Sequence, residues 1–213
     1  MKDLFAPPAA VVGGSVVSFA SGLPASHRED IYMSTAFAQR ATRLALADGL
    51  SEDWFDYYCK QLKYLGWDVP KPQTLSPMGM APMGKKAVQR ISASLGDAFS
   101  LPMSRALAEL ERNSRALELF ESASLSAEIG YFQMIPCVMN GAHKVDMGIY
   151  HRQFKIQRNV SRFLFIETES LEYQSIEQMT RITFNTLHYA DFRERVKHSV
   201  LSQSLKYLAD LDI

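Results

Sequence analysis

The sequence predicts an α+β protein in which a helical region precedes an antiparallel sheet and a long helix closes the chain. Three observations carry this: apolar residues at helical spacing up to about residue 125, a period of two thereafter, and an Asn140-Gly141 pair between two alternating runs. The expected organisation is one domain over 1–213: a mainly helical part at 1–125, a four- to five-stranded antiparallel sheet at 126–187, and a C-terminal helix at 188–210.

The first element is the valine-rich "VVGGSVVSF", residues 11–19, which reads as a buried strand with a bulge or close approach at Gly13-Gly14. "SHRE", Ser26 to Glu29, matches a capping box and starts a helix that Asp48-Gly49 ends near Ala47. Small residues Ser34, Ala38, Ala41 and Ala45 form a stripe on it, flanked by Phe37 and Leu44, where another backbone could approach. The next helix begins after Ser51, an available cap, and stops at Gly66 and Pro70. At ~100° per residue, Trp54, Tyr58, Leu62 and Leu65 share a face, with Phe55 and Cys59 beside them and Lys60 and Lys63 opposite. Such a face reads as core, because aromatic side chains bury the most area; a stack for a flat ligand is the competing reading.

"PKPQTLSPMGMAPMGKK" is too rich in proline, glycine and methionine for regular structure and reads as a surface loop. Its Met78, Met80 and Met83 are candidate contacts to a partner or a membrane, since thioethers adapt to apolar surfaces; copper(I) is a weaker alternative without a nearby cysteine or histidine. Two helices follow, one with Val88, Ile91 and Leu95 on a face, the other capped by Ser100 with Pro102 in its first turn. A break at Asn113-Ser114 then precedes "RALELFES". The runs on either side of Asn140-Gly141 form a hairpin, and Pro136 places the first of them at an edge or at a bulge. Arg162 to Thr168 and Gln178 to Asn185 supply two more strands. Trp54, Tyr58, Leu62, Phe163, Phe165, Phe184, Phe192 and Val196 are the expected core.

Composition narrows function. The 213 residues are 47% hydrophobic and 22% charged, with 23 basic and 23 acidic side chains, so nothing in the balance points to nucleic acid or an anionic membrane. Cys59 and Cys137 lack a CxxC spacing and read as reduced core residues. The N-terminal segment faintly imitates a signal peptide, but Asp3 cancels Lys2 and Pro7-Pro8 interrupt the apolar run. A cytoplasmic protein is expected, with export without a cleaved signal peptide as the alternative.

Catalytic and metal signatures are absent. His143 and Asp146 share a strand with His151, but alternation puts Asp146 and His151 on opposite faces, so one ion cannot gather them. His188 and His198 stand ~15 Å apart along a helix. Glu167 and Glu169 alternate to one face and read as solvated. There is no GxSxG, phosphate loop or dinucleotide fingerprint, and no cofactor is expected.

The last helix carries two apolar stripes: Tyr189, Phe192, Val196, Val200 and Tyr207, and separately Leu201, Leu205 and Leu208. A surface helix needs only one. The second stripe is therefore either sandwiched within the chain or covers a second copy, a two-fold homodimer being the commonest closed form. The leading expectation is a non-enzymatic interaction or assembly protein that binds itself or another protein through Leu201, Leu205 and Leu208. A membrane-active or exported, toxin-like effector is the first alternative. A small hydrolase with His151 or His188 as general base is the second.

Overall fold

The computed structural model describes residues 7–76, 81–126, 129–156, 161–166, 172–203 and 208–211. Strands β1 (Ala9–Val12) and β2 (Ser15–Phe19) are followed by helices α1 (Ala25–Ala47) and α2 (Trp54–Tyr64) and the short β3 (Gln73–Thr74). Helices α3 (Met83–Leu95), α4 (Asp97–Arg112) and α5 (Ser114–Ser124) lead into β4 (Leu125–Ser126), β5 (Ile129–Met139), β6 (Lys144–Ile156) and β7 (Glu172–Asn185). Helix α6 (Thr186–Gln203) and β8 (Leu208–Leu211) complete the order.

The α+β character agrees with the sequence, but the sheet is larger and mixed. It has eight strands in the order β3-β7-β6-β5-β2-β1-β8, with β4 pairing β5 off this path. β2 and β5 run parallel, Val16 opposite Met134, while the other described pairs are antiparallel. Parallel neighbours need a long crossover. Here five helices supply it, and no local pattern in the sequence announces which distant strand the first hairpin will join.

Alternation along the strands sorts side chains into two cores. Val12, Val17, Ile135, Met147 and Phe184 point toward α1, α2 and α6, whereas Val11, Val16, Met134, Tyr150 and Met179 point toward α3, α4 and α5. The result is three layers, helices on both faces of one sheet. This also explains the continuous burial of β1 and β2, strands covered on both sides.

Several local expectations are corrected. "VVGGSVVSF" is a hairpin rather than one bulged strand: Val12 pairs Ser15, and Gly13 sits at φ +56°, the left-handed conformation a two-residue turn requires. α1 begins after Pro24 without a side-chain cap, so Ser26 lies inside the helix. Asp53, not Ser51, caps α2, its Oδ1 accepting from the Asp56 amide at 2.8 Å. α4 begins at Asp97 after Gly96, upstream of Ser100. Leu44, expected beside a helix contact, is exposed.

Pro136 lies in the sheet interior and not at an edge. The register with β6 is the same on either side of it, Met134 opposite Tyr150 and Cys137 opposite Met147, so there is no bulge. The missing strand near Arg162 is equally instructive. Residues 161–166 form turns, with Arg162 at φ 63° and Phe163 and Leu164 buried among α3–α5. A short apolar run has the same appearance whether it is a strand or a turn plugging a core. Residues 167–169, including the Glu167 and Glu169 pair, lie outside the described set.

Of the eight expected core residues, six are buried; Phe165 and Phe192 are only half-buried. Asn113 does break the helices as expected, accepting from the Ala116 amide at 3.0 Å. The hairpin at Asn140 forms with a four-residue connection, Gly141 at φ 106°.

The C-terminal helix is shorter than expected. α6 is described to Gln203, and Leu208–Leu211 forms β8 along β1, so Leu208 belongs to a strand and not to a helical stripe. Leu205 lies outside the described residues. Leu201 is half-buried against the core beneath α1 and α2. Leu201→Ser is accordingly expected to cost roughly 1–2 kcal/mol, a fraction of full leucine burial, without changing the particle mass. Denaturant unfolding and light scattering check this; an unchanged midpoint with a halved mass would return the residue to a dimer interface.

Candidate functional site

A cavity of about 410 Å³ opens where the β1–β2 turn, the second half of α1, the first turn of α2, the end of α5 and the start of β5 meet. Each element brings one kind of surface. The Asp53 cap starts α2 so that Trp54 stands at the wall, and Tyr131, near the start of β5, lies with its ring 6.0 Å from Trp54 at 19°. α1 contributes Gln39 and Arg43, one turn apart. α5 ends at Ser124, whose Oγ is buried and has no hydrogen-bond partner.

The polar floor is a chain of buried hydrogen bonds joining three elements distant in sequence. Gln39 Nε2 donates to Val12 O at 2.8 Å and Ser15 Oγ at 2.5 Å, and its Oε1 accepts from the Gly14 amide at 3.1 Å. Ser15 Oγ donates to Gln133 Oε1 at 2.7 Å, and Gln133 Nε2 lies 3.0 Å from His151 Nδ1. With its oxygen committed to Ser15, the Gln133 amide is the donor to His151, which places the imidazole proton on Nε2. Arg43 Nη2 donates to Gln39 Oε1 at 3.1 Å. Gly14 permits the close packing: a Cβ there would stand 3.2 Å from both Ser124 Oγ and Tyr131 O.

Behind this floor the rings stack. His151 lies parallel to Phe55 at 4.5 Å and to Trp54 at 5.3 Å, each within 7°. Burial pushes its pKa down to about 3, so it is neutral in ordinary buffers. Among these groups only His151 titrates near neutral pH in water, and its location removes that chemistry. The arrangement suits recognition: planar apolar walls, amides and a hydroxyl, and a guanidinium at one side.

A second cleft, about 380 Å³, lies between the starts of α1 and α6 and the β5–β6 connection. Its carboxylates are committed to cations. Asp30 receives both Arg193 Nε at 2.8 Å and Nη2 at 2.7 Å, and Glu29 pairs Lys197 at 2.8 Å. His27 is lowered chiefly by burial, against the opposing pull of Asp30. Ion-paired carboxylates are poor proton carriers.

The sequence-derived candidates disperse. His151 is a buried stacking partner, His188 is exposed, and neither lines the two large cavities. His143, at the end of the β5–β6 connection, lines the second cleft and stands eight residues before His151, roughly 25 Å away along the chain. Among the described residues no group of three or more histidines, cysteines or carboxylates could hold a metal ion. Cys59 and Cys137 are free and buried. Met83, expected on a loop facing a partner or membrane, is the first residue of α3 and is completely enclosed by its own chain. Met78 and Met80 lie outside the described residues. No described helix is long and apolar enough to cross a membrane. Sequence reasoning missed Gln39, Gln133, Ser15 and Ser124. They join through contacts such as Ser15 with Gln133, 118 residues apart, which no local pattern announces.

Fold and site thus define a three-layer α+β protein with a polar-floored, aromatic-walled cavity. No protein-family model matches the sequence, and no curated protein matches it. Among solved structures the chain is similar to one described as the Evf virulence factor, at 11% identity and TM-score 0.39, covering 94% of this chain and 85% of that one. It is also similar to a delta-endotoxin, at 12% identity and TM-score 0.41, covering 81% and 82%. Likenesses this distant carry nothing across to this chain.

Proposed function

We propose that this protein acts by binding rather than by catalysis, and that the cavity beside Trp54 is where the bound molecule sits. The observation that carries this is a space of about 410 Å³ whose lining sets Trp54 and Tyr131 beside Gln39, Arg43 and Gln133. Aromatic and apolar walls with a few converging polar groups, around a space of this size, are the usual make of a small-molecule site. The apolar rim formed by Leu46 and Ala47 favours an occupant with a substantial apolar part. Among the described residues, the hydroxyl, amide and imidazole groups around the floor are not arranged as a nucleophile with a usable base, which supports binding over hydrolysis.

Ala47 is exposed at the rim, so Ala47→Trp should obstruct the entrance while sparing the core. A thermal-shift screen of small apolar and amphipathic compounds is expected to find stabilisers of the unmodified protein that lose at least tenfold in potency on Ala47→Trp. A screen without stabilisers, or stabilisers indifferent to that change, would sink the proposal.

A further inference from the structure

We infer that the cavity takes an apolar carboxylate, its head on Arg43 and its body along the rim; this rests on the binding role proposed above and specifies its ligand. A ligand meets only what the cavity leaves accessible. Gln39, Gln133, Ser124 and Trp54 are enclosed and serve as backing. Arg43, Leu46, Ile129 and Tyr131 are half-buried, and Ala47 and Ser126 are exposed. The surface on offer is therefore a guanidinium set among aliphatic side chains and one phenol ring.

The sign of the ligand's charge comes from that lining. Among the described residues around the cavity, Arg43 alone carries a formal charge at neutral pH. An anion placed there exchanges water for charge-assisted hydrogen bonds, whereas a cation would leave water to stand beside a like charge.

The carboxylate head follows from how Arg43 is held. Its Nη2 donates to Gln39 Oε1 at 3.1 Å, an oxygen that also accepts from the Gly14 amide, while Gln39 Nε2 is tied to Val12 and Ser15. The guanidinium also packs on the β1–β2 turn, where a Cβ at Gly13 would stand 2.8 Å from Nη2. Its orientation is set before anything binds, which spares the ordering cost of a mobile arginine. A guanidinium presents several N–H donors in one plane, so it can hold the glutamine oxygen and a carboxylate together. A carboxylate matches both the planar fork and the single charge.

The apolar body follows from what surrounds that head. Leu46 and Ala47 stand one helical turn after Arg43 on α1, on the same side of the helix, and line the cavity with it. Ile129 and Tyr131 alternate to one face of β5 and supply further apolar lining. Methylenes laid along this rim leave water, so the chain behind the carboxylate contributes to affinity.

Calorimetric titration at pH 7.5 with octanoate, octanamide, octylammonium and acetate tests this. Octanoate is expected to bind roughly tenfold or more tightly than octanamide, which has the same body without the charge, since hydrogen bonds to charged groups are the stronger kind. Octylammonium has the wrong charge and acetate lacks the body, and neither is expected to bind. Arg43→Gln should hold octanoate no better than octanamide, and its unchanged affinity for octanamide would report an intact cavity. Arg43→Lys, which keeps the charge without the fork, should fall between the two; it carries the comparison if Arg43→Gln does not fold. Equal affinity for any of the other three probes overturns the ligand class, as does full octanoate affinity in either Arg43 variant. Octanoate binding indifferent to Ala47→Trp puts the anion outside the cavity and overturns it too. Binding of octanamide as tight as that of octanoate, yet blocked by Ala47→Trp, leaves the broader role standing. No binding by any of the four overturns the ligand class outright, and the compound screen then decides the role separately.

Discussion

Phe132→Ala is expected to lower the thermal midpoint by roughly 10 °C, because truncating a buried phenylalanine costs about 3–5 kcal/mol and a chain of this size loses a few degrees per kcal/mol. Phe132 is fully buried and sits at the centre of the α3–α5 core. Its ring lies 6.2 Å from Phe120, 6.1 Å from Tyr150, 6.0 Å from Phe154 and 5.9 Å from Phe163. Four rings around one leave little chance of collapse after its removal, which places the cost toward the upper end. Leu50→Ala is the control: Leu50 is 73% exposed, and its loss should move the midpoint by about a degree. Calorimetric scans of both variants check the pair. A Phe132→Ala shift no larger than that of Leu50→Ala would mean that this face of the sheet is not consolidated.

Acid sensitivity traceable to His151 is the second large effect. The folded-state pKa of about 3 is depressed below the ordinary histidine value near 6.5 by burial. The unfolded chain therefore binds a proton in a range where the native protein does not. The stabilising difference is fully present above pH ~6.5 and is lost as pH falls, by about 1.4 kcal/mol per unit, until the folded pKa is reached. Between pH 6.5 and 4.5 this alone removes roughly 2 kcal/mol, an order-of-magnitude value. His151→Phe keeps a ring in the stack with Phe55 and Trp54 and abolishes the titration. It is expected to be less stable at pH 7.5, since Gln133 loses its acceptor, yet to show a flatter decline toward pH 4.5. Urea midpoints across that range test it. Parallel declines in the two proteins would place the acid-sensitive group elsewhere.

How much of this was legible beforehand follows the range of the interactions. The buried face of α2 was readable because eleven residues in one helix repeat their environment every turn, and Trp54, Tyr58 and Leu62 are all enclosed. The hairpin at Asn140 was readable because a turn is local chemistry. The place of Pro136 was not, since a proline's tolerance depends on the strands beside it and these come from β2 and β6. The stripe on the last helix looked excessive because β8 was read as its continuation. For the cavity, α2 displays its aromatic wall openly, in a pattern that fits core and ligand stack alike. Trp54 serves both, being 6% exposed and lining the space. The polar floor stayed hidden because serine and glutamine carry no periodic signature and become a network only when three remote segments meet.

The order in which the chain emerges during synthesis gives the β1–β2 hairpin an unusual wait. It is made before the rest of the described sheet, yet β2 finds its neighbour only when β5 appears, and β1 only when β8, the last described strand, is available. Until then both flanks of a strongly apolar ribbon offer open backbone groups to any other nascent chain. Crowded polysomes should therefore be the most hazardous setting for this protein. The helices that follow, arriving before either partner strand, are the natural temporary shelter for that ribbon's faces, though not for its edges.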